Sequence, residues 1–243
     1  MGKLLSNAST NPKTAKQLVA FKIEGVIHHL TPDRLADGVH TVCPSSTPGC
    51  RASCLNTAGR SQVKGALKSR TLQRYMIHRS RIGKTLRWLN NKQDYLSELG
   101  KELALLEKRA KKKGYHPVAR LNGTSDIHWE SWIPMATYNI QFYDYTKGYK
   151  RMLRFLDGKL ASNYDLTFSY SEETTKRQVN TIIASGGNVA VVFRKEIPKK
   201  FMGHKVITGM AHDFRYKDKK GRIVGLIARG RATTDTTGFV VDV

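Results

Sequence analysis

The chain has 243 residues, with 42 Lys and Arg against 19 Asp and Glu and a formal net charge of +23. Its hydrophobic content of 40% is enough for a globular core. No run approaches the roughly 18 apolar residues that span a bilayer, and no signal peptide is evident, so we expect a soluble intracellular protein with no membrane partner. The charge exceeds what solubility needs, which makes nucleic acid, either DNA or RNA, the first partner to expect.

We interpret residues 1–243 as one domain in three segments. Residues 1–60 hold an N-terminal strand, predicted at 18–23, and a loop rich in cysteine. Residues 61–114 form a basic helical segment. Residues 115–243 form βα repeats that end in a closing hairpin.

Three cysteines lie close together in the first segment. Cys43, Cys50 and Cys54 are spaced C-x6-C-x3-C, and two prolines and a glycine between them keep the segment out of regular structure. Three thiolates suit an iron–sulfur cluster with one open iron, or zinc with a fourth ligand from elsewhere. The spacing is neither that of a radical-SAM motif nor that of a standard zinc ribbon. The alternative is a set of small buried cysteines beside a structural loop.

The second segment has apolar residues at three- and four-residue steps, which predict two or three amphipathic helices. Acidic residues are absent between positions 62 and 93, so salt pairing along the helix cannot explain the basic residues there. Phosphate contact is the better explanation, against the alternative of a solvated face. The predicted nucleic-acid-binding residues are Lys64, Lys68, Arg70, Arg74, Arg79, Arg81, Lys84 and Arg87.

The third segment alternates short strands with short helices. We predict strands at 117–121, 139–145, 164–169, 188–193, 206–207 and 223–227. Helices are predicted between them at 129–134, 147–156 and 172–184. This alternation indicates an α/β fold with parallel strands, in a partial or complete (βα) barrel. The last two strands, joined through 219–221, are predicted to close it as a hairpin.

The carboxyl ends of such strands carry the active site in α/β folds. Polar residues stand at these positions, and we predict catalytic roles for Asn122, Ser125, Asp126, Glu172, His212 and Asp213. Carboxylates and a histidine there could hold an ion or move protons, facing the cysteine site. The alternative is that these residues cap helix N-termini.

Two further functions stay open. Tyr145 and Tyr149 lie one helical turn apart beside lysines, as the paired nucleophiles of a replication initiator that nicks DNA would. Aromatic residues at a strand end and on a helix core face are the simpler explanation. The other function is that of a non-catalytic DNA- or RNA-binding protein whose cysteine site is a structural staple.

Several blocks of the sequence resemble a known family. The most specific is the eleven-residue block RLNGTSDIHWE at 120–130, and the others lie at 43–60, 142–147, 188–193, 212–215 and 225–230. Together they resemble the phage proteins called gene product 88-like. The resemblance implies a phage or prophage origin, hence the host cytoplasm, and a barrel-like fold that bears the cysteine loop.

The resemblance implies no established reaction. The family pattern tends to show an acidic residue after the glycine that precedes His-Asp, whereas this chain has Met210 after Gly209. Any metal or general-base role at that strand therefore depends on His212 and Asp213 alone. We predict a metal- or iron–sulfur-containing enzyme that acts in phage DNA replication or nucleic-acid processing.

Overall fold

The computed structural model describes residues 2–10, 12–58 and 68–243. Lys64 lies outside the described residues, and the side chains of Lys68, Arg70 and Arg74 lie outside them too. Contact of these four residues with nucleic acid therefore stays a prediction.

Ten strands of the described chain form one sheet. They are β1 (Leu5–Asn7), β2 (Ile23–His28), β3 (His116–Arg120), β4 (Gln141–Thr146), β5 (Tyr164–Ser169), β6 (Asn188–Phe193), β7 (Lys200–Phe201), β8 (His204–Thr208), β9 (Ile223–Ile227) and β10 (Val240–Val241). Their order is β1-β2-β3-β4-β5-β6-β9-β8-β7, with β10 beside β6. All pairs are parallel except β1 with β2 and β7 with β8.

The predicted α/β class is confirmed, but the sheet is open and a barrel is not. A barrel requires its first and last strands to pair. Here the two edges are β1, with three residues, and β7, with two. Among the described strands, β1 pairs only with β2 and β7 only with β8, so they end the sheet at either side.

The predicted closing hairpin is wrong. The strands at 206–207 and 223–227 pair in parallel, with Val206 opposite Ile223, because the intervening chain crosses a face of the sheet instead of turning back. The hairpin lies one strand earlier, between β7 and β8. Its two turn residues, Met202 and Gly203, have φ angles of 50° and 91°, the positive values that a tight two-residue hairpin turn needs.

Six helices lie in the described chain. They are α1 (Pro12–Ala20), α2 (Pro48–Ala52), α3 (Lys68–Asn90), α4 (Lys92–Lys113), α5 (Tyr149–Leu156) and α6 (Lys176–Ala184). Asn91 separates α3 from α4 and caps α4, since its side chain accepts a hydrogen bond from the Asp94 N–H. Gly114 ends α4 with φ 64°, a left-handed conformation that favours glycine. No helix of these described ranges is both long and apolar enough to cross a membrane.

Three predicted elements differ from the structure. At 18–23, α1 continues to Ala20 and β2 begins at Ile23. At 129–134 there is only a 3₁₀ turn, Trp129–Ser131. The helix predicted from residue 172 begins at Lys176, because Thr175 and Gln178 form a reciprocal capping box.

The two faces of the sheet are covered differently. On the helical face, Leu99 and Leu103 of α4 and Val179 and Ile182 of α6 belong to the main core. On the opposite face, α1 and the 209–218 segment form a smaller cluster that includes Phe214. The carboxyl ends of the parallel strands β2 to β6, β8 and β9 meet at one edge, and the residues that follow them form the candidate site.

Candidate functional site

Arg151 of α5 is the centre of a buried ion network beneath the loop that follows β3. Its side chain is 1% exposed. Its Nη1 donates to Asp126 Oδ1 at 2.8 Å, and its Nε and Nη2 donate to the two carboxylate oxygens of Glu130 at 2.9 and 2.6 Å. Asp126 Oδ2 accepts from the Thr146 hydroxyl at 3.2 Å and the Lys147 N–H at 3.0 Å. Burial raises the pKa of Asp126, against the effects of Arg151 and these hydrogen bonds. Both oxygens of the predicted catalytic Asp126 are therefore engaged.

Asn122 ties the same loop to β4. Its backbone N–H donates to Asp144 Oδ1 at 2.7 Å, and its side-chain oxygen accepts from the Ser125 hydroxyl and the Ile127 N–H, both at 2.9 Å. The hydroxyl of Tyr164 donates to Asp144 Oδ2 at 3.0 Å. Burial raises the pKa of Asp144 to about 7, although these hydrogen bonds oppose the shift. Asn122 and Ser125, both predicted to be catalytic, thus hold the loop in place.

Glu172 is attached to the cysteine loop, by which we mean residues 43–54. Its two carboxylate oxygens accept from the Gly49 N–H at 2.6 Å and the Thr47 hydroxyl at 2.9 Å. The Thr47 oxygen in turn accepts from the Cys50 N–H at 3.2 Å, so it caps α2. A Cβ on Gly49 would lie 2.3 Å from the Thr237 hydroxyl oxygen, which explains the glycine. Glu172 therefore occupies the N-terminus of α2.

None of the three cysteines forms a disulfide with another described residue. Cys43 Sγ accepts from the Asp33 N–H at 3.3 Å and lies 3.8 Å from the carbonyl oxygen of Thr124. Burial raises the pKa of Cys43 to about 12 and also raises that of Cys54. In this arrangement Cys43 and Cys54 are protonated at neutral pH.

Among the residues that the structure describes, no group of three or more His, Cys, Asp or Glu side chains could hold a metal ion. A zinc or iron–sulfur site needs its thiols deprotonated and directed at one point. The site predicted at Cys43, Cys50 and Cys54 stays a prediction.

His212 and Asp213 belong to a different cluster. They follow β8 on the face opposite α5, whereas Asp126 contacts α5. The His212 ring meets Phe21 of the α1–β2 turn edge-on at 5.9 Å, and its Nε2 lies 3.6 Å from Asp218 Oδ1. The structure therefore brings Asp126 and Glu172 to the cysteine loop and places His212 and Asp213 apart from them.

Tyr145 and Tyr149 also lie in different surroundings. The Arg120 guanidinium lies over the Tyr145 ring, 4.8 Å from its centroid, and burial raises the pKa of Tyr145. Tyr149 packs on Phe168 at 6.3 Å, beside the main core. The two hydroxyls therefore do not share a site in which one could substitute for the other.

The basic residues of α3 are less available to phosphate than the sequence suggests. Lys84 is buried and donates to the carbonyl oxygen of Leu4 at 2.9 Å. Arg87 forms an ion pair with Glu98, and Arg81 donates to the side chain of Asn56. The sequence pattern showed where the basic residues lie along the helix but not which groups they bond. Arg79, by contrast, is exposed.

Exposed arginines surround the cysteine loop. Asn56, just after the loop, contacts α3 through Arg81, and the turn Leu55–Thr57 contacts the turn Gly230–Thr234. These contacts bring the turn that carries Arg229 and Arg231 to the loop that carries Arg51, and we call these three exposed arginines the basic collar. Lys147 lies at the same edge, where its Nζ donates to the Ser169 hydroxyl at 2.6 Å and lies 4.9 Å from the Phe239 ring centroid.

Sequence reasoning missed two residues that organise this edge. Asp144 had a usable signal, because an acidic residue inside a strand of aromatic neighbours must find a buried partner. Arg151 had none, because it stands among the equally basic Lys150 and Arg154. Only the packing of α5 shows which of the three cations is buried.

Comparison with known proteins agrees with the sequence blocks. A family profile described as gene product 88 matches residues 3–243. No curated protein and no solved structure matches the chain. Because the profile covers nearly the whole sequence, the chain belongs to the gene product 88 family, the phage family that its motifs resemble.

Proposed function

We propose that the protein binds nucleic acid through the basic collar around the cysteine loop, without catalysing a reaction there. The observation that carries the proposal is the collar itself, three exposed arginines at the edge where the polar loops meet. Such a surface attracts phosphates and fixes their position without reading sequence.

The distribution of acids supports this function. The protein has few Asp and Glu residues, and many of them form ion pairs with Lys or Arg, either in the interior or close to the surface. Examples are Glu24 with Arg109 and Lys113, Asp126 and Glu130 with Arg151, Asp165 with Lys220, and Asp218 with Arg215. The excess of 23 positive charges therefore falls on the remaining surface, where it steers a polyanion toward the protein.

The engagement of the predicted catalytic groups favours binding over chemistry. Asp126 is bound to Arg151, Asn122 to Asp144, and Glu172 to the N-terminus of α2. A general base needs an oxygen within reach of a substrate proton. These carboxylates instead serve to hold the cysteine loop and its arginines in position.

The test is a charge reversal with a control of equal net charge. Arg229→Glu with Arg231→Glu changes the collar, and Lys108→Glu with Lys112→Glu changes exposed positions of α4 by the same amount. Fluorescence anisotropy with labelled oligonucleotides over a range of salt concentrations gives Kd and its salt dependence. We expect the collar variant to bind roughly tenfold or more weakly, and we expect the magnitude of the slope of log K against log salt to fall by about 1.5–2. Equal losses in both variants, or none, would refute the collar as the binding surface.

A metal- or cluster-containing enzyme of phage DNA replication or nucleic-acid processing is the second candidate. The placement of Cys43, Cys50 and Cys54 in one short loop favours it. Elemental analysis of anaerobically purified protein tests it, with Cys43→Ser, Cys50→Ser and Cys54→Ser as controls. Stoichiometric zinc or iron that each substitution removes would support this candidate. Metal below a tenth of the protein concentration would exclude it.

A further inference from the structure

An open cleft of about 510 Å³ lies next to the cysteine loop and is not used by the collar. It is formed by residues just before and at the start of that loop, by the α3–α4 junction and by the chain after β3. Its principal lining residues are His40, Pro44, Trp88, Lys92, His128 and Trp132. A volume of this size is within the range of small-ligand sites.

Trp132 presents an aromatic surface to solvent in this cleft. It is 45% exposed, whereas Trp88 and Trp129 are 4% and 0% exposed. The Trp132 ring stands edge-on to Trp88 with centroids 5.3 Å apart, and Trp88 packs on Trp129 at 4.9 Å. The exposed ring is therefore supported by two buried ones, which fixes its orientation.

Polar groups accompany the ring. Lys92 Nζ lies 5.6 Å from the Trp88 centroid and 5.3 Å from the Trp132 centroid. His128 Nε2 is buried without a hydrogen-bond partner in the described structure. The cleft thus combines an aromatic face, a cation and an imidazole ring.

We propose that this cleft holds an unstacked base of single-stranded DNA or RNA, an inference that rests on the proposed function. A base offers a π face for Trp132, a ring edge for His128, and a neighbouring phosphate for Lys92. The paired bases of a duplex are stacked inside it and cannot enter. The collar would hold the backbone, and the cleft would select single strands over duplexes.

The experiment compares four labelled 20-mers by anisotropy: dT20, rU20, a DNA duplex and an abasic DNA strand. The abasic strand keeps the phosphates and lacks the bases. We expect dT20 or rU20 to bind more tightly than the abasic strand and the duplex, and the comparison of dT20 with rU20 shows which of the two single strands is preferred. Trp132→Ala should weaken binding of the better single strand about 5- to 150-fold, the range for loss of one stacked base, and leave the abasic strand unchanged.

Two controls separate contact from folding. Trp132→Phe keeps a stacking ring and should retain most of the affinity, while the quenching of tryptophan emission by bound single strand is lost. Leu105→Ala removes another exposed apolar side chain, on α4 and outside the cleft, and should change nothing.

The outcomes distinguish the two proposals. If none of the four polymers binds at low salt, the proposed function fails and this inference with it. If the abasic strand or the duplex binds as tightly as the single strands, or Trp132→Ala weakens all polymers equally, binding stands and the base-binding cleft is refuted.

Discussion

Replacing Arg151 tests whether the candidate site is organised by a buried ion network. Arg151→Met keeps an unbranched side chain of similar reach but removes the guanidinium that bonds Asp126 and Glu130. Arg154→Met is the matched control, because Arg154 lies on the same helix and is exposed. Arg151→Lys is a milder variant that keeps the positive charge and loses the planar guanidinium that donates to both carboxylates.

The expected magnitude follows from burial. The side chains of Arg151, Glu130 and Asp126 are 1%, 6% and 11% exposed, so the methionine variant leaves two carboxylates with little water and no cation. Breaking a buried ion pair in this way costs about 3–5 kcal/mol. The exposed control should change the free energy of unfolding by less than about 0.5 kcal/mol. Arg151→Lys should fall between the two.

The loss should also depend on pH. Burial already raises the pKa of Asp126, and removal of Arg151 raises it further. A carboxyl whose folded pKa lies above its unfolded value destabilises the folded state at high pH, and the penalty disappears as pH falls through the folded pKa. The difference between wild type and Arg151→Met should therefore be smaller at pH 5 than at pH 7.

Urea unfolding followed by tryptophan fluorescence measures both effects, because Trp129 is fully buried beside the network. A loss below about 1 kcal/mol at pH 7 would refute the reasoning. So would a loss that matches Arg154→Met, or one that grows at pH 5.

Three further predictions concern the same edge. In Gly123→Ala the new Cβ would lie 2.6 Å from the carbonyl oxygen of the last residue of β2, so we expect the free energy of unfolding to fall by about 1–3 kcal/mol. Gly83→Ala is the control, because the space around Gly83 is open, and it should not destabilise the protein. Equal melting temperatures of the two variants would contradict this prediction. Glu172→Gln should lower the free energy of unfolding by about 1 kcal/mol, because it removes a charge at the N-terminus of α2. It should also speed alkylation of the adjoining thiols by iodoacetamide, which mass spectrometry measures. Glu173→Gln, at an exposed position, should have neither effect. Burial raises the pKa of Asp144 to about 7, so the contribution of this carboxyl to stability falls as pH rises from about 4 to 7. Asp144→Asn should remove that part of the pH dependence of the free energy of unfolding, measured by urea titration. An unchanged pH profile would contradict this prediction.

The sequence predicted the parallel strands β5, β6 and β9 well, because β6 and β9 are short apolar runs and β5 alternates apolar with polar residues. Their pairing partners were harder. The parallel pairing of β8 with β9 depends on how the chain between them crosses the sheet, and a Lys-Lys-Gly turn signal near residue 220 does not specify that path. Whether the edges meet in a barrel depends on the length of β1 and β7, which no periodic pattern encodes.

The carboxylates at the strand ends show why site chemistry is harder to predict than site position. Asp126 and Glu172 do lie beside the cysteine loop, as their places after parallel strands suggest: the Asp126 N–H donates to the carbonyl oxygen of Val42, and Glu172 accepts from the Gly49 N–H. A catalytic carboxylate and a structural one have the same residue type at the same place, and they differ only in whether both oxygens are already bonded. Asp126 meets Arg151 from a helix 25 residues later, and Glu172 meets Gly49 from 123 residues earlier. Partners at such separations are set by packing, so the distinction between catalysis and support becomes visible only in the folded chain.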